Sequence, residues 1–244
     1  MKRFAIYVLI ALPLLLASGV FMSFAQSSNE KIRGNGNVKQ EARNATPFKD
    51  ISTSGVYKVI ILQGNTHSIK IEAEDNLLPY IITDISGGKL DIHSKKGYNI
   101  QPTKEITVYI TLQKVERLSA SGAGGFSSNG LLKSDLIKLE FSGAADADLN
   151  INTHELEVSI SGASNVKLKG NSSEADYRIS GSADIAALDL QTDNVRIGIS
   201  GTGKANVNAQ KKLDISVSGM GKVKYTGEPS ITQAISGMGK ISKI

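Results

Sequence analysis

Apolar and polar residues alternate along most of the chain after residue 37, and from residue 118 onward this alternation is repeated with a longer period. Each period contains the dipeptide Ser-Gly, whose seven serines are Ser121, Ser142, Ser161, Ser180, Ser200, Ser218 and Ser236. The spacings between them are 21, 19, 19, 20, 18 and 18 residues. A nearly fixed period of this size is typical of solenoids, in which each repeat is one structural unit stacked on the next.

Counted from each serine, the odd positions are mostly apolar and the even positions are mostly polar or small. The position before the serine holds Ala120, Phe141, Ile160, Ile179, Ile199, Val217 and Ile235. The fifth position after it holds Phe126, Ala147, Val166, Ile185, Ala205, Val223 and Ile241. This period of two indicates strands with one buried face. Each repeat is therefore predicted to contain two strands of about five residues, joined by a bend and followed by a polar turn.

The predicted bend is made of small residues. The first position after each serine is always glycine, and the third holds Gly124, Ala145, Ser164, Ala183, Gly203, Gly221 and Gly239. Parity directs both positions inward. A tight corner needs positions without bulk, and glycine also permits backbone angles that other residues resist.

Two short strands in about 19 residues suit one coil of a parallel β-helix, with coils stacked about 4.8 Å apart. A β-sandwich of antiparallel hairpins also has short strands at regular intervals. Antiparallel neighbours would reverse the order of positions in every second repeat, and the sequence shows no reversal. The predicted fold class is an all-β, parallel β-helix-like solenoid.

The N-terminal half, residues 37–117, also alternates but lacks the regular period. Its predicted strands are Val38–Arg43, Lys49–Ser52, Tyr57–Gln63, Ile69–Glu74, Ile81–Ser86, Lys89–His93 and Ile106–Thr111. Asn76–Tyr80 is predicted to form a short helical turn that Pro79 limits, and Gly97–Lys104 a surface loop. We expect these irregular coils and the regular repeats of residues 118–244 to share one core, as a single domain from 37 to 244.

Ser54-Gly55 resembles an early copy of the repeat. Ile51 lies three positions before Ser54, and Val59 and Ile61 lie five and seven after it, as in the later copies. The long interval from Ser54 to Ser121 predicts longer turns or additional hairpins between these two copies.

Residues 1–25 have the features of an export signal. Lys2 and Arg3 precede the apolar run Phe4–Ala17, and Ser23-Phe24-Ala25 places small residues where signal peptidase requires them. A retained membrane anchor is the alternative, since apolar residues continue to Phe24. If the leader is cleaved, no membrane span is expected in the mature chain. The polar segment 26–36 is predicted to be a flexible start of that chain.

Composition narrows the possible partners and modifications. The chain has no cysteine, which excludes disulfides and a lipid-modified N-terminal cysteine. The formal net charge of +5 is spread along the sequence without a dense basic cluster, so nucleic-acid binding is not expected.

No set of residues forms a recognisable catalytic, cofactor or metal motif. His67, His93 and His154 are scattered, and the repeated serines have no recurring His and Asp partners. The best candidates for carboxylate chemistry are Asp146, Asp148 and Asp184, at outward positions.

The neighbouring positions in their two columns hold Asn165 and Lys167, and then Lys204, Lys222 and Lys240. A solvated face of mixed charge accounts for these aspartates better than a catalytic pair does. The calcium-binding nonapeptide of β-rolls is absent; Gly143–Asp148 resembles it only weakly.

The second position after each serine predicts an exposed strip of small or weakly polar residues. It holds Ala123, Ala144, Ala163, Ser182, Thr202, Met220 and Met238. Together with the serine column this strip could dock a partner or a second copy of the chain. Alternatively, small residues are simply required at a corner.

Several segments occur in the order found in a known family. They are Gly34–Val38, Phe48…Ile51…Gly55, Glu74–Leu78, the serial Ser-Gly-x-Gly copies, Tyr225–Pro229 and Ser236–Gly239. In this order they resemble the putative auto-transporter adhesin head (GIN) domain family, found largely in Bacteroidetes, over residues 34–243. Some copies read Ser-Gly-Ala-Ala, Ser-Gly-Ala-Ser or Ser-Gly-Ser-Ala, which departs from the glycine-rich pattern but keeps the parity.

The resemblance implies a right-handed β-helix-like fold, export and an adhesive role, with no catalytic residues to assign. The resulting hypothesis is an exported, non-enzymatic β-solenoid of the bacterial cell envelope, in the periplasm, on the outer surface or outside the cell. It would bind a surface glycan or protein, with self-association also open. A polysaccharide-active β-helix enzyme and a purely architectural envelope protein are the alternatives.

Overall fold

The computed structural model describes residues 29–244, so the predicted leader at 1–25 lies outside the described residues. The described chain is built from β-strands and a single 3₁₀ turn, Leu78–Tyr80. The strands are β1 Glu30–Arg33, β2 Val38–Arg43, β3 Asp50–Ser54, β4 Tyr57–Gln63, β5 Ser68–Glu74, β6 Ile81–Ser86, β7 Lys89–Ser94, β8 Tyr98–Gln101, β9 Ile106–Leu112, β10 Arg117–Ala120, β11 Ala123–Phe141, β12 Ala144–Ile160, β13 Ala163–Ile179, β14 Ser182–Ile199, β15 Thr202–Val217, β16 Met220–Thr226, β17 Ser230–Ile235 and β18 Met238–Lys243.

The coils stack in parallel, as the repeat predicted. Strands β10 to β18 pair with their neighbours in parallel and in register. Ile160 therefore lies beside Ile179, and Ile179 beside Ile199. This arrangement confirms the β-solenoid and excludes the sandwich of antiparallel hairpins.

The prediction of two five-residue strands in each repeat was wrong. Strands β11 to β15 are 16 to 19 residues long and are interrupted only at Ser-Gly. Each coil hydrogen-bonds to the next around its corners as well as along its flat sides, so the predicted polar turn is part of the strand.

Differences in coil length are accommodated within the segment of each repeat that the sequence predicted to be a polar turn. The 21-residue coil that starts at Ser121 lies on one of 19 residues, and the pairing shifts between Ser127 and Leu131. Similar shifts occur between Lys167 and Lys169 and after Ala187, where coil lengths again differ. The columns on both sides of Ser-Gly therefore stay aligned although the period varies.

The inward columns form the core. Buried apolar side chains make one cluster that extends from Phe48 in the N-terminal half to Val223. The last coil is an exception, because Ile231 and Ile235 occupy inward columns but are 41% and 42% exposed. Their counterparts Leu213 and Val217 are covered by the last coil, whereas within residues 29–244 no further coil packs on Ile231 and Ile235.

The glycines of the Ser-Gly bends form a ladder along the solenoid, where the predicted need for positions without bulk is confirmed and the predicted need for unusual backbone angles is wrong. None of them has a positive φ. Instead, each one from Gly122 onward lies directly against the backbone of the coil before it: a Cβ on Gly162 would stand 1.9 Å from the carbonyl oxygen of Gly143, and one on Gly181 2.0 Å from that of Gly162. The glycine ladder consists of Gly55, Gly122, Gly143, Gly162, Gly181, Gly201, Gly219 and Gly237. It is required because two backbones meet where a side chain would be.

Gly55 belongs to this ladder, which confirms the early copy at Ser54-Gly55. Ile51 pairs with Leu118, and Val59 with Phe126, so β3 and β4 form the coil beneath β10 and β11. The residues between β4 and β10 add a further parallel layer, β7 on β3 and β9 on β4, as well as hairpins. The antiparallel strands β6, β5 and β2 then close this end.

Two N-terminal predictions need correction. Part of the segment 26–36, predicted to be flexible, is strand β1, and part of the predicted loop Gly97–Lys104 is strand β8. They pair in parallel, with Ile32 beside Ile100. Ile100 is buried and Ile32 packs against the core, so this pairing anchors the start of the described chain.

The buried carboxylate of Glu74 joins three segments of the closed end. It accepts hydrogen bonds from the backbone N–H of Gly36 (2.6 Å), and from the hydroxyl (2.6 Å) and backbone N–H (2.8 Å) of Thr103. Burial alone would raise the pKa of Glu74, but the hydrogen bonds from Thr103, Gly36 and Lys104 outweigh it and lower the pKa.

The column assignment predicts opposite effects for two adjacent residues. Val166 is 1% exposed and Lys167 is exposed beside Asp148. We expect Val166→Lys to prevent folding, because it buries an unpaired charge. Lys167→Val should change the free energy of unfolding by only about 0.5 kcal/mol. Similar thermal melts for the two variants, followed by circular dichroism, would contradict the assignment.

The glycine ladder predicts that a single methyl group is harmful at one glycine and harmless at another. Gly181→Ala should destabilise the fold by about 1–3 kcal/mol or more, because its Cβ would overlap the backbone of the coil below. Gly198→Ala is the matched control, since its Cβ would stand 3.9 Å from the nearest atom, the carbonyl oxygen of Tyr177. Urea titrations of both variants measure the difference, and equal midpoints would show that close approach does not explain the ladder.

Glu74→Gln should destabilise the closed end by about 1–3 kcal/mol, because an amide NH₂ would face hydrogen-bond donors. Since the folded-state pKa of Glu74 is lowered, its stabilising contribution is fully present above the unfolded-state pKa and is lost as pH falls through the folded-state pKa. The wild type should therefore lose more stability on acidification than Glu74→Gln. Glu72→Gln, on the opposite face of β5, is the control. A Glu74→Gln variant that keeps the wild-type pH dependence would exclude this role.

Candidate functional site

Three shallow grooves of the outer surface lie beside the glycine ladder, the first on one side and the other two on the opposite side. The first, which we call the serine groove, has a volume of about 600 Å³. It lies between the serine column and the column two residues before it. Its hydroxyl-bearing residues are Ser52, Ser119, Ser121, Ser142, Ser159, Ser161, Ser180, Ser200, Ser216 and Ser218.

The hydroxyls of the serine groove are only weakly used within the protein. Those of Ser121, Ser180 and Ser200 donate to carbonyl oxygens of the preceding coil, over 3.5, 3.3 and 3.4 Å. These distances are longer than a normal O–H···O bond, so the predicted hydrogen bonding along the ladder is present but weak. The hydroxyls thus remain able to donate to, or accept from, a molecule in the groove.

Two charged residues stand in the middle of the serine groove. Glu140 accepts a hydrogen bond from Ser119 (3.1 Å) and lies 3.5 Å from Arg117. Arg178 pairs with Asp176 at 2.5 Å. Ser159 lies between Glu140 and Arg178 in the same column, so the groove offers a cation and an anion two coils apart within a row of hydroxyls.

Sequence reasoning did not identify the serine groove. Its first wall, the serine column, was recognised, but the second wall contains Ser119, Ser159 and Ser216 at the position two before each repeat serine. The recurrence of serine at this position could have indicated the second wall. The concave shape could not be predicted, because it depends on how far the chain turns at the bend.

The second groove contains the three aspartates that the sequence proposed. Asp146, Asp148 and Asp184 all line this aspartate groove, whose volume is about 480 Å³. Asp146 accepts hydrogen bonds from the backbone and side-chain nitrogens of Asn165, at 2.9 and 3.1 Å. Asp148 lies 3.8 Å from Lys167.

Asp184 likewise lies 3.8 Å from Lys204, so each of the three carboxylates has a neutral or basic partner. Asp146 and Asp184 are two coils apart, about 9.6 Å along the axis, with Asn165 between them. A glycosidase acid is kept protonated by an apolar pocket, whereas these aspartates are at the surface. The geometry is that of a mixed-charge face.

The predicted exposed strip is divided between two surfaces. All its residues are exposed, as expected. However, the serine column faces the serine groove, while Ser182, Thr202, Met220 and Met238 line a third groove of about 660 Å³ on the other side of the glycine ladder. The bend turns the two columns away from each other, so they do not form one flat strip.

The three histidines lie in separate environments. The ring of His67 packs edge-on against Phe48, with the ring centroids 5.5 Å apart. His93 lies 3.9 Å from Asp84 and 3.8 Å from Asp91, and His154 is exposed on β12. Within residues 29–244, no group of three or more His, Cys, Asp or Glu side chains could hold a metal ion. In the same residues no helix is long and apolar enough to cross a bilayer.

Solved structures with the same fold include proteins from the genera Bacteroides and Parabacteroides. A putative adhesin from Bacteroides fragilis superposes with a TM-score of 0.81 at 23% identity, covering 87% of this chain and 100% of that one. A putative adhesin from Parabacteroides merdae has a TM-score of 0.70 at 25% identity, covering 88% and 99%. A protein from Parabacteroides distasonis described as a putative lipid binding protein has a TM-score of 0.72 at 23% identity, covering 88% and 100%.

Among curated protein sequences, none is significantly similar to this chain. The family profile described as "Putative auto-transporter adhesin, head GIN domain" matches residues 47–229. This range runs from the closed N-terminal end through almost all the regular coils. The chain therefore belongs to the auto-transporter adhesin head GIN domain family.

Proposed function

We propose that the protein is an exported, non-enzymatic adhesin of the bacterial cell envelope that binds an extended surface glycan along the serine groove. The observation that carries this proposal is the continuous row of weakly used hydroxyls from Ser52 to Ser218. Hydroxyls repeated about every 4.8 Å can exchange hydrogen bonds with successive sugar residues of a linear chain. The family description and the leader predicted at 1–25 support export and adhesion.

A glycan suits this groove better than a protein does. The strongest contacts at protein interfaces come from large side chains, above all Trp, Tyr and Arg, that fill pockets. The residues lining the serine groove are mostly serines. Its aromatic and branched apolar residues are buried at 2% exposure each, and they are Phe141, Ile160, Ile179 and Ile199. Of the residue types Trp, Tyr and Arg, the groove contains Arg178 alone.

The description of one structural relative as lipid-binding suggests a different ligand. A lipid chain bound inside the solenoid would need an internal cavity. The inward columns are instead filled by Ile, Val, Leu and Ala side chains that form one cluster. The grooves found among residues 29–244 are open to solvent and polar on at least one wall, which favours a glycan over an acyl chain.

The proposal predicts that one bulky side chain in the serine groove abolishes glycan binding. Ser180→Tyr would place a ring across the groove at an exposed position, where the fold should tolerate it. Ser173→Tyr, seven residues earlier on β13 and outside the groove, is the matched control. We expect glycans that the wild type selects on an array to be bound about tenfold or more weakly by Ser180→Tyr and unchanged by Ser173→Tyr.

Three results would contradict the proposal. The first is that no glycan on the array binds, with envelope proteins captured instead. The second is that Ser180→Tyr and Ser173→Tyr bind alike. The third is turnover of an acidic polysaccharide that Asp146→Ala or Asp184→Ala abolishes, which would establish the polysaccharide-active enzyme.

A further inference from the structure

Three lysines are stacked directly on one another at the C-terminal end of the solenoid. Lys204 on β15 pairs in register with Lys222 on β16, and Lys222 with Lys240 on β18. All three are exposed and occupy the fourth position after a repeat serine. This lysine ladder places three cationic chains along a line of about 10 Å, two coil spacings.

Such stacking is unfavourable without a partner, since like charges directly opposite on neighbouring strands destabilise a sheet. Lys204 has Asp184 at 3.8 Å. For Lys222 and Lys240, no carboxylate within residues 29–244 lies at ion-pair distance. The ladder therefore carries a charge that the described protein leaves uncompensated.

In the column four residues before each serine, like charges are also neighbours, as at Glu157 and Asp176, but each has an oppositely charged partner. There Lys138 pairs with Glu157 at 2.8 Å, and Arg196 lies 3.8 Å from Asp176 and in register with Asp214. The same solenoid thus compensates its outward charges on one side of the bend and accumulates them on the other. Coil stacking alone does not require the lysine ladder.

Two exposed apolar side chains lie beside the ladder. Met220 and Met238, two residues before Lys222 and Lys240, are 49% and 71% exposed. They line the third groove together with Thr202 and two lysines of the ladder. A flexible thioether can pack against an irregular surface, including the C–H face of a sugar ring.

We infer that the lysine ladder and its two methionines bind an acidic polysaccharide that runs parallel to the solenoid axis. Carboxylate or sulfate groups on successive sugars would lie opposite the lysine Nζ atoms, and the ring faces would lie on Met220 and Met238. A membrane surface would be met by lysines spread over a protruding face, whereas these stand in a line beside a groove. Single-stranded nucleic acid is held by aromatic stacking, and the third groove has no aromatic residue.

This site is on the other side of the glycine ladder from the serine groove and does not depend on the function proposed for that groove. To test the lysine ladder, an alginate oligosaccharide, which is a linear polyanion, is titrated into the purified protein at low salt. Calorimetry measures the binding. A neutral cello-oligosaccharide of the same length is the control ligand. We expect binding of alginate that weakens as salt increases, and none of the neutral chain.

The variants separate the ladder from general positive charge. Lys222→Gln/Lys240→Gln should weaken alginate binding by about tenfold or more. Lys167→Gln/Lys169→Gln removes two outward lysines of β13 and should leave it unchanged, as should Ser180→Tyr in the serine groove. Without ligand, Lys222→Gln/Lys240→Gln should melt at a higher temperature than the wild type at low salt, because the stacked charges are removed.

Several outcomes would overturn the inference. They are absence of alginate binding, an equal loss of affinity in Lys167→Gln/Lys169→Gln, and no loss in Lys222→Gln/Lys240→Gln when its melt shows a folded protein. Binding to phosphatidylglycerol vesicles through the same lysines, without binding to alginate, would identify a membrane surface as the partner. Loss of alginate binding in Ser180→Tyr would place the polyanion in the serine groove.

Discussion

The contact between successive backbones at the glycine ladder is the constraint on which the rest of the structure depends. Where Gly162 meets the carbonyl oxygen of Gly143, no space remains for a Cβ. This contact fixes the bend at the same point of every coil, although the coils range from 18 to 21 residues. Parallel pairing then restarts in register from each bend, and the length differences are absorbed by shifts farther along the strands. The columns beside the bend are therefore the best aligned surface of the molecule.

Because the coils are aligned in this way, a residue type that recurs at one position of the repeat forms a line of chemically similar side chains along the solenoid. Repetition of serine produces the hydroxyl row of the serine groove, and repetition of lysine on the last coils produces a line of positive charge. The energetic cost of such stacking depends on the residue type, because stacked hydroxyls are neutral whereas stacked lysines repel each other. On the face where Lys138 meets Glu157, opposite charges remove that cost.

The sequence predicted the parts of the fold that depend on period. Parity identified the buried columns, and the positions around Ser54-Gly55 identified a coil 67 residues before the next copy, which the pairing of Ile51 with Leu118 confirms. Strands β1 and β8 escaped prediction because each has four residues and is defined only by its distant partner. The need for residues without bulk at the bend was predicted, but the contact between backbones of different coils was not, since it leaves no local sign beyond the glycine itself.

The aspartates show why proximity on a solenoid does not by itself provide catalysis. The sequence placed Asp146, Asp148 and Asp184 on one face, and the structure brings them to one groove. Acid–base chemistry needs two groups whose environments differ, one held protonated and one ionised. Neighbouring coils instead give successive residues of a column similar surroundings, and here the residues next to the aspartates are an asparagine and two lysines. A surface that repeats one environment many times suits the recognition of a repeating ligand, as proposed for the serine groove and the lysine ladder.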